Sequence, residues 1–101
     1  MNLHLETLEE FESLFDGDNP TITLGIFEGI REALEKNTEE AELFNITFEE
    51  SDDLYEISLD SEQWGHALDT CLERFEKFEM YDEAIDAFQL RKRFYSKYGF
   101  E

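Results

Sequence analysis

The stretch LFNITFEESDDLYEISLD, residues 43–60, decides how this chain folds. Phe44, Ile46 and Phe48 alternate with polar residues in its first half, and Tyr55, Ile57 and Leu59 do so in its second. A period of two is the signature of a β-strand with one buried face. Two such runs joined around ESDD (50–53) predict an antiparallel hairpin. A hairpin is marginal alone in water and needs helices against its apolar side. The same stretch holds five carboxylates in the nine residues 48–56, and no Lys or Arg lies between Lys36 and Arg74 to offset them.

Working outward toward the N-terminus, LHLETLEEFESLF (3–15) places Leu5, Leu8, Phe11, Leu14 and Phe15 at helical spacing, with Glu6, Glu9, Glu10 and Glu12 opposite. This predicts a first helix over about 5–15. DGDNP (16–20) breaks it. A second helix is expected from Thr21 or Thr23 to Lys36, with Ile26, Phe27, Ile30, Ala33 and Leu34 as its apolar stripe. Gly25 and Gly29 lie within it. Each costs about 1 kcal/mol relative to Ala in a helix interior. Two readings stand: close approach of another backbone, or an irregular first turn. NTEEAE (37–42) reads as a polar connector.

Toward the C-terminus, Asp60 or Ser61 can cap a third helix, with Gln63 placed for a capping box. Its stripe is Trp64, Ala67, Leu68, Cys71, Leu72, Phe75 and Phe78. Glu79 and Met80 lead into a fourth helix in which Tyr81, Ala84, Ile85, Phe88 and Tyr95 keep the period and Gly99 marks the end. The expected fold is one α+β domain over residues 1–101, with about four helices packed on a two-stranded antiparallel hairpin in the order α-α-β-β-α-α.

FEKFEMYDEAIDAFQLRKRF (75–94), and YDEAIDAF within it, resembles the turn and second helix of a tetratricopeptide unit. It also looks like the helical hairpin of UvrB-type C-terminal motifs. Both likenesses imply two packed antiparallel helices. A repeat array needs at least three units, and only one such segment is present. In size, charge and Phe-rich helices the chain is similar to small acidic proteins of tailed bacteriophages. Some of those mimic DNA and block host restriction, nuclease or transcription proteins. That resemblance implies an inhibitor working in the host cytoplasm.

The net charge is −19, from 27 Asp and Glu against 8 Lys and Arg, yet aromatic residues make up 15%. Disordered acidic tails lack such aromatics, so a folded chain is expected. Residues 1–73 carry 21 acids and only Arg31 and Lys36, whereas residues 74–101 carry six acids and six bases. Such a charge opposes nucleic acid and anionic lipid and favours basic protein surfaces. The bases in RKRFYSK (91–97) have two readings: complements to a helix C-terminus, or a local basic patch. No signal peptide or apolar span is visible, which points to the cytoplasm.

Little points to chemistry. Asp16 and Asp18 begin like a calcium loop, but Pro20, Thr21 and Phe27 occupy its fifth, sixth and twelfth positions. His4 and His66 have no nearby nucleophile in sequence, and no Gly-rich phosphate loop is present. The lone Cys71 reads as a small buried residue. No catalytic, cofactor or metal-ligating set emerges, so a binding protein rather than an enzyme is expected. The partner-binding candidates are Glu49, Glu50, Asp52, Asp53 and Glu56, with Glu39, Glu40 and Glu42. Glu6, Glu9, Glu10, Glu12, Glu32 and Glu35 could extend the same anionic array, with Tyr55 or Tyr98 as anchor. The expected partner is the basic surface of a nucleic-acid-binding protein. The rivals are charge that serves solubility alone, and a homodimeric adaptor joined through the third and fourth helices.

Overall fold

Thr7 ends one element and starts another. Its hydroxyl accepts the Glu10 N–H at 3.2 Å, and the Glu10 carboxylate accepts the Glu6 N–H at 3.1 Å. Reciprocal bonds of this kind cap a helix, so the residues before Thr7 are free to be extended. In the computed structural model, which describes residues 2–14, 19–49 and 51–98, strand β1 spans Asn2–Leu5 and helix α1 spans Leu8–Leu14. The chain continues through α2 (Pro20–Lys36), β2 (Glu40–Phe48), β3 (Ser51–Asp60), α3 (Ser61–Lys77) and α4 (Tyr81–Tyr98).

The fold is therefore α+β with order β-α-α-β-β-α-α and a three-stranded mixed sheet β1-β2-β3, which corrects the expected two-stranded hairpin. β1 pairs parallel to β2, Leu3 opposite Ile46 and Leu5 opposite Phe48. A four-residue strand is too short for its period to stand out from the helical pattern that follows, and Leu5 and Leu8 fit both. A parallel neighbour also leaves no turn signal in the sequence, because the connection is the helical crossover itself.

Further corrections concern the hairpin. β2 already starts at Glu40, inside the stretch read as a connector, and Ala41 is fully buried. β3 starts at Ser51, opposite Phe48, so Asp52 and Asp53 are strand residues rather than turn residues. A register shift between Glu42 and Phe44 lets Leu43 and Phe44 both face inward, which strict alternation forbids.

α2 begins as its sequence dictates. The Asn19 side chain accepts the Thr21 N–H at 2.9 Å and Pro20 takes the first helical position. Asn37 closes the helix in the left-handed conformation. Ile22, Phe27, Ile30, Ala33 and Leu34 are buried. Gly29 is the point of closest approach to β2: a Cβ there would lie 2.7 Å from Leu43 Cδ2 and 3.0 Å from the Glu42 carbonyl oxygen. The close-approach reading thus holds at Gly29.

α3 covers the other side of α2. Phe27 meets Phe75 edge to face at 5.9 Å, and the Cys71 thiol faces the Thr23 carbonyl oxygen at 3.7 Å. Trp64 is fully buried and donates its indole N–H to the Leu59 carbonyl at 2.8 Å, tying α3 to the end of β3. Asp60 occupies the N-cap position without a side-chain cap bond, so the expected capping box does not form. Glu79, at φ 60°, turns the chain into α4.

α4 docks on α3 through Ala84, Ala87, Leu90 and Phe94, all buried. Of the stripe expected on it, Ala84 belongs to this face and Tyr95 packs partly buried beside it, against Phe94. Tyr81, Ile85 and Phe88 are 59%, 55% and 44% exposed. Small residues let the two helices approach, and the larger side chains were the misleading guide. Gly99, the expected helix end, and Asp16 and Asp18 of the calcium-like stretch lie outside the described residues.

Candidate functional site

The strands turn Leu5, Ala41, Phe44 and Ile46 toward the buried core, and the opposite face of the sheet is the open one. The pleat and register place Asn2 and His4 of β1, Glu40, Glu42, Asn45 and Thr47 of β2, and Leu54, Glu56, Ser58 and Asp60 of β3 on that open face. Glu40 stands directly opposite Asp60. Like charges so paired destabilise a sheet, so stability alone does not account for the arrangement. β3 is an edge strand, pairing with β2 alone among the described residues.

The candidate acids do not gather at one turn. Glu39, Glu40 and Glu42 mark one end of the β2–β3 ribbon, Glu56 its middle, and Glu49 and Asp53 its tip. The ends are separated by roughly 27 Å at ~3.4 Å per strand residue. Asp52 is placed in β3 by its backbone, and Glu50 lies outside the described residues.

The two ends differ in charge balance. At the Glu39 end an open groove of about 280 Å³ runs between α2 and the first half of β2, lined by Gly29, Glu32, Lys36, Glu40, Glu42 and Asn45, where the pairing with β1 begins. Lys36 donates to Glu32 there. That bond and the adjacent positive charge lower the Glu32 pKa from its ordinary value, while Glu32 raises that of Lys36. This end is partly neutralised.

The tip carries no such offset from base side chains of its own elements. β1 brings α1 to it: the Glu49 N–H donates to the Leu5 carbonyl at 2.8 Å, and Phe11 of α1 packs on Phe48 with ring centroids 6.3 Å apart. Phe48 in turn meets Tyr55 edge to face at 5.6 Å. The seam Phe11–Phe48–Tyr55 therefore brings α1 and its flank, with Glu6, Glu9, Glu10 and Glu12, to the end of the ribbon that carries Glu49 and Asp53, all exposed, while Glu56 lies further along β3 on the open face. Three apolar side chains are exposed at this end: Leu8 at 63%, Leu54 at 56% and Tyr55 at 51%.

The sequence singled out the acids of α1 and of the hairpin separately, and their union depends on the parallel β1–β2 pairing. The pattern Thr7-Leu8-Glu9-Glu10 is a capping-box signal that would have separated β1 from α1. Tyr98, the other expected anchor, ends α4 far along the chain from this seam.

The remaining reactive groups are held apart. The His4 ring nitrogen Nδ1 bonds the Thr47 hydroxyl at 3.0 Å on the open face, and His66 is exposed on α3. Burial pushes the Cys71 thiol up to about 12, which keeps it protonated and a poor nucleophile. Among the described residues no group of three or more His, Cys, Asp or Glu is arranged to hold a metal ion, and no helix is long and apolar enough to cross a membrane.

No protein-family model, curated protein or solved structure matches the chain.

Proposed function

We propose that this chain is an acidic protein-binding module of the DNA-mimic type, which inhibits a nucleic-acid-handling protein by occupying its basic groove with the tip of the β2–β3 ribbon and the adjoining α1. One observation carries this reading: Leu8, Leu54 and Tyr55, all more than half exposed, stand at the end of the ribbon that carries the exposed Glu49 and Asp53 and meets the acids of α1, Leu54 on the open face and Tyr55 on the other, with no base on the ribbon itself. Such a surface combines long-range steering by charge with apolar anchors that exclude water on contact.

The charge density is adequate to the role. Duplex DNA would carry about 26 charges over the molecule's 44 Å length at one per ~1.7 Å, against a net 19 here. All of that net charge belongs to residues 1–73, so the acidic body approaches the linear density of a duplex while residues 74–101 sum to zero. No catalytic set supports an enzyme, and direct binding to nucleic acid is opposed by the same charge. The site of action in this reading is the cytoplasm of a host cell.

The test is capture by the immobilised chain from a host lysate at low and high salt, followed by competition with duplex DNA for whatever is retained. A DNA-binding protein held at low salt, released at high salt and displaced by DNA is the expected result. Retention that ignores salt, or that survives reversal of Glu49, Asp53 and Glu56 to Lys, would sink the proposal.

A further inference from the structure

The exposed stripe on α4 is a second, separate surface. Tyr81, Ile85 and Phe88 recur at the i, i+4, i+7 spacing of one helix face, opposite the Ala84–Ala87–Leu90–Phe94 face that docks on α3. Lys92 continues the stripe, its ammonium 5.3 Å from the centre of the Phe88 ring. A surface helix ordinarily carries one apolar face. α4 carries two, and only one is covered.

The charges beside the stripe say what covers it. The first half of α4 holds Asp82, Glu83 and Asp86 and no base, while the second half holds Arg91, Lys92, Arg93 and Lys97 and no acid. A helix polarised in this way is complementary to itself when reversed. Among the described residues the other exposed large apolar side chains, Leu8, Leu54 and Tyr55, lie on elements rich in acids and without Lys or Arg, so two copies meeting there would repel each other.

We infer that the chain forms a two-fold dimer through antiparallel packing of α4 on the α4 of a second copy. A two-fold axis between Ile85 and Phe88 sets each Ile85 against the other copy's Phe88, so the contact is isologous and closed. It also brings Asp82 of one copy to within about two residues, ~3 Å along the axis, of Arg93 of the other, because residues flanking the same side of the stripe meet in an antiparallel pair. Lys92 leaves its own Phe88 ring and meets the other copy's Tyr81. The shallow groove beside Phe27, Arg31, Asp86, Gln89 and Arg93 continues this surface onto α2. The dimer does not depend on the binding role of the ribbon tip, which stays exposed on both copies.

Sedimentation equilibrium of the full chain, from micromolar to millimolar concentration, tests this. A monomer–dimer equilibrium that tightens as salt is raised is expected, because two bodies of charge −19 repel until they are screened. Ile85→Glu should weaken association by roughly tenfold or more while leaving the circular dichroism unchanged. Asp82→Arg and Arg93→Glu should each weaken it, and the double variant should recover to within about threefold of the starting affinity. A monomer at every concentration overturns the inference. So does a dimer that a folded Ile85→Glu variant still forms, or a charge swap whose double variant fails to recover.

Discussion

Two groups of exposed apolar residues meet different electrostatic company. At the ribbon tip, the charged side chains near Leu8, Leu54 and Tyr55 on α1 and on the ribbon are carboxylates, whereas on α4 Tyr81, Ile85 and Phe88 lie between an acidic and a basic half-helix. Apolar exposure by itself marks a surface that excludes water when covered. The charges around it select the partner: a cationic one at the tip, a copy of itself on α4. Salt separates the two, since it should weaken the first contact and strengthen the second.

The largest effect that sharpens this comparison contrasts the two faces of α4. Phe94 is 2% exposed and packs on Trp64 at 6.0 Å between ring centroids. Phe94→Ala should cost about 3–5 kcal/mol by leaving a cavity between α3 and α4. Phe88→Ala should change monomer stability by no more than about 0.5 kcal/mol. Urea unfolding at a concentration where the chain is monomeric measures both. Equal costs would mean that the stripe is part of the core, and the case for a second copy there would fail.

A smaller effect separates how the two surfaces are held. Gly29 seats the ribbon on α2, and an added Cβ meets Leu43 Cδ2 at 2.7 Å and a strand carbonyl at 3.0 Å. The carbonyl belongs to the central strand and has little room to move. Gly29→Ala should therefore cost about 1–2 kcal/mol net, overpacking outweighing the helix propensity gained. Gly65 seats α3 against α4, and its nearest neighbour would be the Tyr95 hydroxyl at 3.0 Å, the far end of a side chain. Tyr95 is only half buried and can give way, so Gly65→Ala should stay within about 0.5 kcal/mol, helped by the same propensity. Denaturant midpoints decide it. A tolerant Gly29 would show that the ribbon is free to shift on its helix.

The parts of this molecule legible in the sequence are those written by a long, unbroken period. α2 and α3 each run 17 residues, and their stripes show plainly from Ile30 to Leu34 and from Trp64 to Phe75. The alternation at Phe44–Phe48 and at Ile57–Leu59 likewise marks β2 and β3. β1 was not legible, because four residues next to an amphipathic helix carry too few repeats and the pairing partner lies 43 positions away, at Asn45 for Asn2. α4 misled for a different reason. Both of its faces are apolar, and Ala84 and Ala87 gave a weaker signal than Ile85 and Phe88 although they sit in the core. The acids were legible as a list, but not as a surface. Glu9 and Asp53 become neighbours of one site only through β1, so the candidate site was half visible: its members were named, its assembly was not.

Tyr55 offers a small expected change in stability and the cleanest separation of roles. Its ring is half exposed and meets Phe48 edge to face at 5.6 Å, at the rim of the sheet rather than in the core. Tyr55→Ala should cost about 0.5–1 kcal/mol, the usual worth of such an aromatic pair. The dimer of α4 should be unaffected, since Tyr55 lies on the ribbon. Capture of a basic partner should nevertheless fall by about tenfold or more, because an anchor at the centre of a contact outweighs its share of the area. Thermal unfolding, sedimentation and capture on the same preparation measure the three together. A stability loss as large as that of Phe94→Ala would make Tyr55 a core residue, and unchanged capture would leave the carboxylates without an anchor and return them to the role of solubilising charge.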